Sequence, residues 1–403
     1  MIKIDTSKES LDNLMAKAQL MNQIETFQIS NTQSARLLAH RIKLDDHNYL
    51  IIIADNPYTK FSITPRIIAN CGWFKGISEN ANVKVIGGSC IVNGAYLFSN
   101  LSLNELDLSQ FDTSSMISMT SMFQDSEITY LNLEGFDTHK VVSMNCMFKN
   151  AYVEELDLSS FDTRLVKTMR EMFYSFESTI INLDSFCTNS VEIMQGMFEE
   201  CRTSEIKLNN FNTTNVNDML RMFHSCSVNE LDLRHFDTSH TKFMTKMFCD
   251  CKASEILVDG WDVTNVENMD SMFSSVDLDK LDLSSWDTKS LDSCAEMFEH
   301  AKIGELKFEP NLIKCTNISD MFMDFNTIDL DFSNVNSHSC QGFNRMFSKA
   351  RIEHLTLGKK FEVTKYTRHY NMFYEFVGEV NIENPNTYGV YIETLDDDED
   401  DDE

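Results

Sequence analysis

The chain of 403 residues is short of proline, with four, and of glycine, with thirteen, which argues against long flexible linkers. Positive charge is also scarce: 34 Lys and Arg face 63 Asp and Glu, a formal net charge of −29. The body stays strongly acidic even without the eight consecutive acids at 396–403. Such a field repels nucleic acid and anionic lipid and attracts basic partners. It leads us to expect a protein partner with a basic surface, no direct nucleic-acid binding and no membrane association. No apolar run approaches the ~18 residues of a membrane span, and residues 1–9 are polar and charged where a secretory leader would be apolar. Eleven cysteines without framework spacing read as reduced thiols, so a cytoplasmic protein is expected. We find no glycine-rich phosphate loop, nucleophile elbow, His-Glu-x-x-His or calcium-loop pattern. That points away from an enzyme and from any cofactor or metal.

What the chain has in abundance is a repeat. A Met-Phe pair stands at Met122-Phe123 and recurs every 25 residues to Met297-Phe298. It then returns at Met321-Phe322, Met346-Phe347 and Met372-Phe373, with spacings of 24, 25 and 26. A fixed period in the range of about 20 to 50 residues marks a solenoid, whose units bury their apolar faces against one another. The expected organisation is a capping region over 1–100, the solenoid over 101–383, and a cap end with an acidic tail, expected to be disordered, over 384–403. In the capping region, Thr6 and Glu9 form a capping-box pattern ahead of a helix over roughly 8–25. Two strands are expected within 37–54, so the cap is α+β. Trp73-Phe74 and Leu97-Phe98 hint at one or two worn-down repeats between 70 and 100. The shortened unit near 309–320, with Pro310, and the lengthened one near 358–371 are expected to be distorted.

Each unit has three parts. Alternating runs such as Leu106-Asp107-Leu108 and Leu156-Asp157-Leu158 read as short strands with one buried face. An aromatic then precedes Asp-Thr, as in Phe161-Asp162-Thr163, and the column Phe111, Phe136, Phe161, Phe186, Phe211, Phe236, Trp261, Trp286 is expected to stack through the core. The Asp-Thr reads as a helix start. Val166, Met169, Met172 and Phe173 then fall at positions 0, 3, 6 and 7, the spacing of a helix face. The fold expected is therefore an α/β solenoid: about 12 short parallel strands on one face, short helices or helical turns on the other.

The string running from Leu156 to Thr163, LDLSSFDT, followed by Met169, Met172 and Phe173, resembles the BspA-like leucine-rich repeats found in bacterial surface proteins, mycoplasmas, some protists and phages. The resemblance covers Leu101 to Ile382. It implies a leucine-rich-repeat coil and a role in surface adhesion or interaction. Unlike exported members, this sequence shows no signal peptide, lipid-attachment cysteine or wall anchor.

If the leucines of each run point inward, the residues between them form two outward columns. The acids there are Glu105, Asp107, Glu155, Asp157, Glu205, Glu230, Asp232, Glu255, Asp282, Glu305, Asp329, Asp331 and Glu379. Twelve strands at a spacing of ~4.8 Å would set them in a stripe roughly 50 to 60 Å long. These thirteen are the candidate partner-binding residues. The reading favoured is a non-enzymatic interaction scaffold. One alternative is a phage-type inhibitor that imitates nucleic acid before a host defence protein, and another is an adhesin exported by an unrecognised route. The bland reading is a solvated repeat face. Methionine periodicity reads as core packing, and Cys201, Cys226 and Cys251, which share one repeat slot, as small buried thiols. Cys249 with Cys251 and the group His235, Asp237, His240 lack the remaining ligands of a metal site.

Overall fold

In a computed structural model of the protein, which describes residues 24–28, 38–53, 61–62 and 73–384, the first two residues of each alternating run lie in a strand, Leu156-Asp157-Leu158 excepted, and several strands end before the second apolar residue. The chain divides into two compact units, Met1–Val166 with Glu177–Phe186 and Lys167–Phe176 with Cys187–Glu403.

The first unit holds β1 (Ile24–Gln28), β2 (Leu38–Lys43), β3 (Asn48–Ile53), β4 (Phe61–Ser62), β5 (Asn82–Gly87), β6 (Ile91–Asn93), β7 (Ser102–Phe111), β8 (Glu127–Asn132), β9 (Tyr152–Glu155) and β10 (Ile180–Asn182). β1, β2 and β3 pair antiparallel, and from β3 onward the sheet continues parallel through β5, β7, β8 and β9. The two strands expected within 37–54 are β2 and β3. Asp45 holds their turn, its Oδ1 accepting the N–H groups of His47 and Asn48 at 2.9 Å each. The expected helix over 8–25, its capping box and the tail from 385 lie outside the described residues, except that Ile24 and Glu25 open β1 instead of closing a helix.

The second unit holds β11 (Glu205–Lys207), β12 (Glu230–Asp232), β13 (Glu255–Leu257), β14 (Asp277–Asp282), β15 (Lys302–Lys307), β16 (Asn326–Phe332), β17 (Arg351–Leu357) and β18 (Val377–Ile382). β12 and β13 form one parallel sheet and β14 to β18 another, so the strands do not make a single continuous ladder.

The expected helices are not there. Among the described residues no helix occurs, and the repeats build a β-solenoid of about 12 turns, β7 to β18 supplying one strand each. Residues 213–226 show why. Val216, Met222 and Cys226 donate their N–H groups to the carbonyls of Thr213, Met219 and Phe223, three residues back, as in successive tight turns. Between these, Met219, Arg221, Phe223 and Ser225 donate to Phe243, Thr245, Met247 and Cys249 of the following coil, at 2.7 to 3.1 Å. Arg221 and Ser225 have φ of 56° and 53°, a left-handed conformation that interrupts any right-handed helix. Apolar residues three apart mark steps of a turn stack as readily as one face of a helix. The wall opposite the strands is therefore hydrogen-bonded from coil to coil, where a helix would be bonded within itself.

The Asp-Thr pair is reassigned with it. Thr138 is buried, donates Oγ1–H to the carbonyl of Asp162 at 3.0 Å, and accepts the N–H of the same residue at 2.7 Å. Thr188 treats Asn212 in the same way within the second unit. The Asp side chain closes a turn where a helix start was expected: Asp262 Oδ1 accepts the N–H of Thr264 at 3.0 Å.

Two columns of rings fill the core. In the first unit Phe136 lies between Phe111 and Phe161, tilted against the first at 6.3 Å and stacked on the second at 6.0 Å between centroids. In the second, Phe211, Phe236, Trp261 and Trp286 follow at 6.5, 6.3 and 6.0 Å, within 9° of parallel. The Phe of each Met-Phe pair makes the other column, Phe198 lying 5.6 and 5.3 Å from Phe173 and Phe223. The irregular units are distorted: β15 and β16 keep one paired position, Lys302 with Asn326. Tyr366 occupies the slot of Val166 but is 85% exposed. No helix is long and apolar enough to cross a membrane among the described residues.

Candidate functional site

Because successive strand residues face opposite sides, burying the leucines turns the intervening acids outward. In the first unit Glu155 and Asp157 are exposed, whereas Glu105 and Asp107 are half-buried and Asp107 is paired with Lys84 Nζ at 2.8 Å. Exposed Tyr130 and Ile180 alternate with Glu105 and Glu155 along the same column. The ladder between β8 and β9 ends at the Tyr130–Glu155 pair. Just beyond that end, a cleft of about 520 Å³ opens around Leu131, Leu156, Leu158 and Ile180, rimmed by Glu154, Glu155, Asp157 and Asp184. An apolar floor under a carboxylate rim suits an aliphatic stem carrying a cation.

In the second unit several candidate acids are already compensated. Lys207 lies 3.7 Å from Glu205 and Arg234 2.6 Å from Asp232, while His354, a cation only when protonated, lies 3.7 Å from Glu379. Lys307 sits 3.5 Å from Asp282 and 3.4 Å from Glu305, which Lys280 also approaches at 4.0 Å. Glu230, Glu255, Asp329 and Asp331 are exposed and without an ion pair among the described residues. A smaller cleft of about 340 Å³ lies between β13 and β14, with Glu255, Asp259, Asp279, Lys280 and Asp282 in its lining.

The two columns differ in what their acids do. Asp107, Asp157, Asp232, Asp282 and Asp331 each accept the backbone N–H two residues on, at 2.8 to 3.3 Å, and so shape the strand exit. Hydrogen bonds from Ser159, Arg234 and Ser284 hold the carboxyls of Asp157, Asp232 and Asp282 below the usual carboxylate range. Asn132 and Asn182 perform the same turn without charge. The Glu column has no such backbone task. Of the thirteen residues, Glu155, Glu230, Glu255 and Asp329 remain as exposed acids with neither a turn to make nor a cation to neutralise.

Other chemistry-bearing groups are occupied by packing. Cys201, Cys226 and Cys251 are buried. His235 Nε2 lies 2.8 Å from the carbonyl of Leu208, Asp237 bonds Ser239, and His240 sits against Ser239, so the three do not converge. A group the sequence reading missed is His224, Cys249 and Asp250, whose ligand atoms lie within 4.8 Å of one another. They are the residues there that could hold a metal, and burial and Asp250 push the Cys249 thiol up to about 12. The 25-residue frame could have flagged it, since 224 and 249 share one slot. Nearby Glu199 is buried with Arg221 at 3.7 Å, and burial raises its carboxyl.

The family described as "Mycoplasma protein of unknown function, DUF285" matches the chain over residues 92–209, 175–280 and 280–384. No curated protein and no solved structure matches.

Proposed function

Since the chain belongs to the DUF285 family, whose matches run from 92 to 384 and so take in the coils of the solenoid, we propose that it is a non-enzymatic scaffold that binds a basic protein partner through its acidic strand face. The observation that carries this reading is the set of uncompensated carboxylates, Glu155, Glu230, Glu255 and Asp329, together with the acid-rimmed cleft at Glu155. An acidic face of this kind favours a basic partner through steering and complementarity. In the first unit the exposed Tyr130 and Ile180 add apolar contact beside the carboxylates.

The test is affinity capture from the native cell with the wild-type chain and with a variant carrying Glu155→Lys, Glu230→Lys, Glu255→Lys and Asp329→Lys. The wild type is expected to retain a basic partner that the variant loses. Asp157→Asn, which keeps the turn, is expected to weaken capture less than Glu155→Lys. Undiminished capture by the fourfold variant would sink the proposal.

A further inference from the structure

Charge changes sign in the last described coil. Residues 345–370 carry seven Lys or Arg against two acids, in a chain where acids outnumber cations almost twofold. Lys359, Lys360, Lys365 and Arg368 are exposed and make no ion pair among the described residues. Tyr366 and Tyr370 stand beside them at 85% and 74% exposure, and Lys365 Nζ lies 5.0 Å from the Tyr366 ring centroid.

The backbone adds an independent observation. On the turn wall Phe343, Arg345, Phe347 and Lys349 donate their N–H groups to the carbonyls of Arg368, Tyr370, Met372 and Tyr374. The corresponding donors one coil later are His369, Asn371, Phe373 and Glu375, and no acceptor for their N–H groups lies among the described residues. Four N–H groups two residues apart, flanked by cations, form an end that calls for an anionic acceptor.

The chain itself supplies one of matching charge. Asn384, the last described residue, is buried and its Nδ2 donates to the carbonyls of Lys359 and Phe361 at 3.0 and 3.2 Å. The described chain therefore ends beside the lysine pair. Eleven residues separate Asn384 from the eight acids at 396–403, a span of at most roughly 36 to 40 Å when extended. We propose that the acidic run at 396–403 docks on the last coil of its own chain, its carboxylates taking the four orphan N–H groups and pairing with Lys359, Lys360, Lys365 and Arg368. A tether of this length presents the run at millimolar effective concentration. Docking covers the end of the coil stack, which a solenoid otherwise exposes.

Amide hydrogen exchange of the full chain tests the proposal, alongside a chain ending at residue 395 and a chain with every acid of 396–403 changed to its amide. The amides of 369, 371, 373 and 375 are expected to exchange about tenfold or more faster in both variants and in 1 M salt. Those of 219, 221, 223 and 225 are expected to stay unchanged, which shows that the coils remain folded. Carbodiimide cross-linking of the full chain is expected to join 396–403 to Lys359, Lys360 or Lys365 within one chain. Exchange at the four amides that is indifferent to the tail would overturn the proposal, as would cross-links scattered over Lys75, Lys252 and Lys314. Links formed only between light and heavy isotope-labelled copies would overturn it too.

Discussion

At the scale of single residues, a buried hydroxyl matters more here than an exposed carboxylate. Thr138 satisfies both backbone groups of Asp162 in the next coil, so Thr138→Val takes the partner from the N–H and the C=O of a half-buried residue. Urea unfolding is expected to show a loss of about 1 to 3 kcal/mol, with Thr138→Ser losing less. The turn-making acids govern the acid limb. Their carboxyls are held low in the folded chain by the hydrogen bonds they accept, so the stability they confer is full above the unfolded value of about 3.9 and is lost as pH falls through the folded one. Thermal melts of Asp157→Asn are expected to fall less steeply than those of wild type below about pH 4. The Asp-Thr pair was legible as a backbone-capping device. Its setting was misread, because an Asp that accepts the N–H two residues on looks the same before a turn as before a helix.

For the elements, the strands were readable because an alternating run admits little else, and the ring columns because their period is fixed. The turn wall was not, since a three-residue turn step and a helix share the spacing of Val166, Met169, Met172 and Phe173. What separates them is the left-handed residues, which the sequence hides by using Arg221, Lys246 and Ser271 where glycine would be expected. Lys246 has φ of 56° and makes no ion pair among the described residues, so Lys246→Gly is expected to raise stability by up to about 1 kcal/mol, while Lys246→Val lowers it, as denaturant midpoints would record. Phe198, fully buried between Phe173 and Phe223, is expected to cost roughly 3 to 5 kcal/mol when truncated to Ala. Far-ultraviolet circular dichroism of residues 73–384 is expected to lack the double minimum of a helix.

For the whole molecule, the direction of the acidic face was legible and its continuity was not. Lys207, Lys280 and Lys307 stand in the same two columns, and each sits within 4.0 Å of an acid it neutralises. Half-burial of Glu105 and Asp107 likewise came from packing that one sequence does not reveal. The frame itself held throughout. Within each unit the coils of the turn wall offer their successors the same four donors, and the threonine bonds likewise span neighbouring coils. Such a bonding scheme also sets how the chain answers a load. Stretched from its ends in a force microscope, it would yield one coil at a time, each rupture freeing 25 residues and lengthening the chain by about 80 Å. The resulting record would be a sawtooth of evenly spaced events, and a broad single rupture would show that coils fail in groups.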